Sequence, residues 1–218
     1  MWKQYKKTII ITILLTLLPI LFGVLTWDQL PDKMAVHFNL NNEANRYVGK
    51  SMAVFGLPFL LMLLQIFCLT VTGLDPKNNN ISTKSMNVVL WLIPTLSWLV
   101  STLTYSTALG YQVNIGAIVI TFIGILFIIL GNYTPKNKKN YSYGTRIPWA
   151  LDNEDNWYHT NRVTGICIVI GGILLTICGL LMFFMTTNFW LIILELVIVL
   201  TITLYPILYS YLYYKKHQ

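Results

Sequence analysis

Charged side chains are scarce in this chain. Asp, Glu, Lys and Arg make up 11% of its 218 residues, where soluble domains carry about 25%. So few cannot cover a globular surface, and a water-soluble fold is excluded. Acids are rarest, eight against fifteen Lys and Arg, for a net charge of +7. Cysteine is nearly missing. Cys68, Cys167 and Cys178 all lie in apolar runs, so neither disulfide pairing nor CxxC metal chemistry is supported, and they read as small packing residues. The outer polar loop holds no Gly-rich phosphate cradle, no nucleophile beside a base and no paired carboxylates. Nothing argues for an enzyme, and no cofactor is expected.

What the chain has is hydrocarbon: 56% hydrophobic residues and a mean hydropathy of +0.62. The apolar residues fall in six blocks, at 8–27, 52–74, 86–109, 115–130, 163–185 and 189–211. A helix needs about 20 residues to cross a bilayer. Backbone groups in lipid must be satisfied internally, so the blocks are helices rather than strands. The predicted fold class is all-α, a polytopic integral membrane protein with six transmembrane helices in a bundle. The apolar core of the first block, 8–25, is longer than the roughly 7–15 residues of a signal peptide. No small-x-small cleavage site follows before Trp27 and Asp28, so this block is expected to be retained.

Orientation follows from Lys and Arg. One face holds Lys3, Lys6, Lys7, Lys77, Lys84, Lys136, Lys138, Lys139, Arg146, Arg162, Lys215 and Lys216; the other holds only Lys33, Arg46 and Lys50. Both termini are therefore expected in the cytoplasm, with the lipid bilayer as the first partner. The net charge is explained by this rule and gives no support for direct nucleic-acid binding.

Two domains are predicted. Residues 1–85 form a membrane hairpin of two helices with an extracytoplasmic loop at 28–51; residues 86–218 hold helices three to six with a cytoplasmic loop at 131–162. The other connections, 75–85, 110–114 and 186–188, are short, and the Asp75–Asn80 stretch reads as a plain polar linker with a Pro breaker. Helices four and five share a pattern. Ala117, Gly124 and Gly131 recur every seven residues, as do Gly165, Gly172 and Gly179. Such a repeat keeps small residues on one face of a left-handed pair and allows close backbone approach in lipid. Tight antiparallel packing of these helices is expected. Pro19, Pro58, Pro94 and Pro206 predict local kinks, and Tyr205, Tyr209, Tyr211, Tyr213 and Tyr214 an interfacial belt.

Glu195 is the one charged residue well inside a span. An acid at a helix centre costs roughly 2.5–3.5 kcal/mol on insertion scales, which makes it a functional candidate; the alternative is a protonated Glu hydrogen-bonded to a neighbouring Ser, Thr or Tyr. Gln65 is the other buried polar group and its potential partner. In the outer loop, His37, Asp32 and Glu43 lack metal-ligand spacing, and His37 reads as a solvated loop residue. Asn41 and Asn42 suit a turn with positive φ between the apolar runs 34–38 and 46–48, which predicts a compact folded cap. In the inner loop, Asn132, Asn140, Asn153, Asn156 and Asn161 are turn and cap formers. Trp149 and Trp157 read as amphipathic anchors, and Asp152, Glu154 and Asp155 suit a helix start. That loop either contacts a partner or lies on headgroups, with Lys136, Lys138 and Lys139 meeting phosphates.

Together the two loops carry a resemblance. Leu30, Pro31, His37, Phe38, Asn39 and Lys50 fit an extracytoplasmic LP…HFN pattern. Gly131, Asn132, Asn140, Gly144, Arg146, Pro148, Trp149, Leu151, Trp157, Arg162 and Gly165 are similar to the C-terminal signature of the SdpI/YfhL-type bacterial peptide-toxin immunity family. Asn42 and Asn45 stand where the pattern has Gly and Asp, Ile147 where it has Thr, and Asn161 where it has His. The resemblance implies immunity to a secreted antimicrobial peptide toxin, with toxin sensing that holds a cytoplasmic winged-helix repressor at the membrane. His37, Phe38, Asn39, Glu43 and Arg46 would meet toxin. Asn132, Asn140, Gly144, Arg146, Pro148, Trp149, Trp157 and Arg162 would meet the repressor. The alternatives are a signalling scaffold without immunity, and a small-solute or ion transporter using Glu195.

Overall fold

In a computed structural model, residues 1–39, 41–184 and 189–217 are described; the expected 186–188 connection lies outside them. Six helices among these residues are long and apolar enough to cross a membrane: Trp2–Leu25, Met52–Leu74, Thr83–Ala108, Ile115–Lys136, Glu154–Leu181 and Trp190–Lys216. Secondary structure runs α1 (Trp2–Leu17), α2 (Pro19–Leu25), β1 (Lys33–Phe38), β2 (Ala44–Gly49), α3 (Leu57–Leu74), α4 (Thr83–Ala108), α5 (Ile115–Tyr133), α6 (Pro148–Asp152), α7 (Glu154–Leu181) and α8 (Phe189–Lys216), with a π-helical turn at Met52–Gly56 leading into α3. Two helices exceed their apolar blocks. The fourth span runs on to Lys136 through a 3₁₀ turn, and α7 starts nine residues before Val163. Residues of the 131–162 segment are thus partly helical, because polarity marks where a helix leaves lipid, not where it ends. Asn153 caps α7, its Oδ1 accepting from Asp155 N at 2.7 Å, which stabilises a helix start by about 1 kcal/mol.

The chain divides into two compact units, 1–73 with 89–115, and 74–88 with 116–218. In the first, prolines set the hydrogen bonding. Pro19 ends α1 and has no N–H to give the Leu15 carbonyl; Trp98 Nε1 of α4 donates there at 3.1 Å. Pro94 likewise leaves the Leu90 carbonyl, which Gln65 Nε2 approaches at 3.5 Å. The same amide donates to Thr12 Oγ at 2.9 Å and accepts from Thr16 Oγ at 2.6 Å. Gln65 thus bonds within its own unit, to α1 and α4. Freed carbonyls in membrane helices are re-satisfied by neighbours in this way.

In the second unit α5 meets α7 along glycines. A Cβ on Gly172 would lie 2.7 Å from Gly124 O and 2.8 Å from Ile128 N; one on Gly131 would lie 2.8 Å from Gly165 O and 2.9 Å from Val169 N; one on Gly179 would lie 3.0 Å from Ala117 O. These neighbours are backbone and cannot step aside. Beside the seam, Leu175 and Cys178 of α7 and Ile198 of α8 form an apolar core. Replacing Gly172 by Leu should therefore force the helices apart. A fall in detergent melting temperature equivalent to at least ~1–3 kcal/mol is expected, and an unchanged melting curve would show that the seam contributes nothing.

Candidate functional site

The first unit carries a β-hairpin, the two-stranded sheet found among the described residues. β1 and β2 pair antiparallel from Lys33↔Gly49 to Phe38↔Ala44, with irregular register around His37. The turn is built by Asn39, whose Oδ1 accepts from Asn41 N at 3.0 Å and Glu43 N at 2.9 Å, while its Nδ2 donates to Glu43 Oε2 at 2.8 Å. Asn42 adopts φ +62°, a left-handed conformation that Asn tolerates. Its side chain then staples the hairpin tip to the start of α5: Nδ2 donates to Val113 O and Oδ1 accepts from Ile115 N, each at 2.8 Å. The lower face of the hairpin buries Met34 with Leu30, Ala53, Val54 and Tyr105.

Between the hairpin and the end of α4 lies an open pocket of about 690 Å³, walled by Phe38, Ala44, Tyr47, Thr107, Tyr111 and Gln112 among others. Of the five residues expected to meet toxin, only Phe38 lines it. His37 is exposed and its Nδ1 lies 2.6 Å from Asn45 Oδ1, so Asn45 serves as a hydrogen-bond partner where the pattern has a charge. Asn39 and Glu43 are spent on the turn, and Arg46 is exposed opposite His37. Tyr47, Tyr111 and Gln112 escaped sequence reading. The last two sit in the short 110–114 connection, whose brevity concealed that it forms a wall. A second cavity of about 340 Å³ lies along α2 and α4, lined by Phe22, Trp98, Ser101, Tyr105 and again Tyr111.

In the second unit the polar segment folds into a cap. The Asp75–Asn80 stretch, expected to be a plain linker, is its organiser. Asp75 is 5% exposed; its carboxylate accepts from Tyr141 N and Ser142 Oγ at 2.8 Å and from Lys77 N at 2.8 Å. Asn80 O accepts from Lys138 N at 3.1 Å and Asn80 Nδ2 donates to Lys139 O at 2.6 Å. Asn140 is fully buried, accepting from Ser142 N and Tyr143 N and donating to Lys138 O. Gly144 sits at φ +114°, and a Cβ there would strike Asn161 Oδ1, which accepts from Thr145 N at 2.7 Å. Trp157 is not a surface anchor: it is 2% exposed and its Nε1 donates to Asn137 O at 3.1 Å.

The remaining signature residues reach the surface. Arg146 donates to Tyr141 O at 2.8 Å, Arg162 to Tyr158 Oη at 3.4 Å, and Asn132 accepts from Lys136 at 3.3 Å. Pro148 is exposed at the start of α6, and Trp149 packs edge-on to Tyr211 at 5.2 Å. Glu195 lies in α8 with Oε1 buried and, among the described residues, without a hydrogen-bond partner. Among those residues no cluster of three His, Cys, Asp or Glu that would hold a metal occurs.

Fold and sites define a class: multi-pass bacterial membrane proteins with one β-hairpin and one folded polar cap. Residues 136–210 match the SdpI/YfhL protein family, and residues 14–62 match a domain of unknown function, DUF1648. The chain is 32% identical over 212 residues to the immunity protein SdpI of Bacillus subtilis (strain 168), covering 96% of this chain and 97% of that relative. It belongs to the SdpI/YfhL family. No solved structure matches it.

Two outcomes follow from the geometry. Asn42→Gly keeps the positive φ and loses the two staples, whereas Asn42→Ala loses both; the Ala variant should be destabilised by ~1–2 kcal/mol and the Gly variant by less, read by hydrogen exchange at Ile115. The Tyr143 hydroxyl, buried in the cap and donating to Leu130 O at 3.2 Å, has its pKa pushed by burial up to about 12 from 10.0. Its neutral form is therefore favoured by folding. That stability is complete below pH 10.0 and is lost as pH rises through about 12, so alkaline melting should be shallower in Tyr143→Phe than in the wild type.

Proposed function

We propose that the protein protects the cell that carries it against a secreted, membrane-active peptide toxin, and that the hairpin pocket is where the toxin is met. Lys and Arg are concentrated on the side of the termini and the cap, twelve against Lys33, Arg46 and Lys50. The positive-inside rule then assigns the termini and cap to the cytoplasm and the hairpin to the outside. The observation that carries the reading is the pocket itself: a built concavity with Phe38, Tyr47 and Tyr111 in its walls, which that orientation turns toward a secreted peptide. Rigid aromatics of this kind dominate peptide recognition. Tyr111 also lines the cavity along α2 and α4, so a peptide arriving from water and one arriving through lipid address the same side chain.

Membership in an immunity family implies a role other than catalysis. Toxin sensing by repressor capture is the finer reading, and Arg146, Arg162, Asn132, Pro148 and Trp149 are the signature residues open to such a partner; Asn140, Gly144 and Trp157 hold the cap together instead. Transport through Glu195 rests on a single unpartnered acid, since Gln65 is committed elsewhere.

Expressing the chain in a sensitive strain should raise the lethal concentration of at least one peptide in a panel of membrane-active toxins. At equal membrane abundance, Tyr47→Ala with Tyr111→Ala should cost about tenfold of that protection, the equivalent of ~1.4 kcal/mol. Protection undiminished by the double variant would remove the pocket from the mechanism, and no protection against any peptide would remove the immunity reading.

A further inference from the structure

The cap holds a cavity of its own. It has a volume of about 580 Å³ and is lined by Asn80, Pro135 and Asn137, by Lys136, Lys138 and Lys139, and by Glu154, Trp157 and Tyr158. Three lysines within four residues ordinarily form a floppy stretch whose ammonium groups drift apart in water. Here the backbone that bears them is pinned from both sides. Lys138 N donates to Asn80 O, Lys139 O accepts from Asn80 Nδ2, Lys138 O accepts from Asn140 Nδ2, and Asn137 O accepts from the Trp157 indole. The charges are held around one concavity by a fixed frame.

Their neutralisation is incomplete. Lys136 reaches Asn132 Oδ1 at 3.3 Å and lies over the Tyr133 ring at 4.7 Å. Among the described residues none of the three lysines is within ion-pair distance of a carboxylate. Glu154 in the lining offsets one charge and leaves a surplus of two. The depth follows from the apolar blocks: Lys136 lies six residues past the block 115–130 and Tyr158 five before the block 163–185, about 8–9 Å at 1.5 Å per residue, so the cavity opens at the level of the headgroups. A basic pocket at the end of membrane helices fits an anionic headgroup, whose phosphodiester accepts from ammonium groups while its acyl chains stay in lipid.

We propose that this cavity binds the phosphodiester headgroup of an anionic membrane lipid. Each lysine contributes about a fivefold preference for anionic over zwitterionic lipid, the equivalent of ~1 kcal/mol. The site is independent of toxin protection and of membrane sidedness, so its test stands apart from the immunity test.

The test is native mass spectrometry of the full-length protein in detergent, supplied with equal phosphatidylglycerol and phosphatidylcholine. The wild type should retain phosphatidylglycerol preferentially. The variant Lys136→Gln, Lys138→Gln, Lys139→Gln should retain the two lipids equally, while Lys215→Gln with Lys216→Gln, which removes charge from the same face elsewhere, should keep the preference. No preference in the wild type overturns the site, as does an equal loss in the distal variant. Displacement of the lipid by millimolar inorganic phosphate would assign the cavity to a free anion instead. Should the triple variant fail to fold, a photoactivatable phosphatidylglycerol on the wild type decides: labelling within 136–139 or 157–158 is expected, and labelling confined to other segments overturns the assignment.

Discussion

In hydrocarbon no water stands ready to satisfy a backbone amide or carbonyl, and each one left bare costs several kcal/mol. The architecture of this protein follows from that constraint wherever the sequence strains it. Pro19 and Pro94 each deprive a carbonyl of its helical donor, and a side chain from another helix supplies the replacement, Trp98 for Leu15 and Gln65 for Leu90. Many hydroxyls within the spans obey the same rule by turning inward. Thr70, Thr176, Thr201 and Thr203 each donate to the carbonyl four residues before them. Among the described residues, two buried side-chain oxygens within the spans are left without a partner, Thr121 Oγ1 and Glu195 Oε1, and only the second belongs to an ionisable group.

The second constraint is proximity. Lipid gives helices no hydrophobic reason to associate, so close contact must come from backbones meeting. The glycines of α5 and α7 provide it, and their seam ends where the cap begins: a Cβ on Gly165 would meet the Pro135 ring as well as Gly131 O. The turn out of α5 is thus nested into α7. Residues 137–153 then leave and return between two helix ends already held together, which lowers the entropy cost of ordering them. The cap's hydrogen bonds can therefore be spent on shaping a surface.

Periodicity carried much of this in one dimension. The six spans, the seven-residue glycine pattern, the positive φ at Asn42 and the start of α7 near Glu154 all depend on neighbours close in sequence, and all were legible. What was not legible depends on distance along the chain. Asp75 looked like part of a linker because its partners, Tyr141 and Ser142, lie more than sixty residues away. Gln65 looked available for Glu195 because nothing local reveals Thr12 and Thr16 beside it. Tyr111 and Gln112 were overlooked because a wall is a property of what faces it. The signature residues were found, yet a motif does not separate Trp157, which supports, from Arg146, which is displayed.

The first two turns of α7 are both the floor of the cap and the head of a membrane span. Asn156, Trp157, Thr160 and Asn161 are buried beneath the cap, and the same helix continues unbroken to Leu181, about 42 Å at 1.5 Å per residue. The cap is consequently no module that can be cut at the lipid boundary and exchanged between relatives. A graft of 134–153 alone would lose Asp75 and Asn80 on one side and Asn156 and Asn161 on the other. A working chimera must carry 74–82, 134–161 and Ser210 of α8, which accepts from Asn156, as one indivisible set.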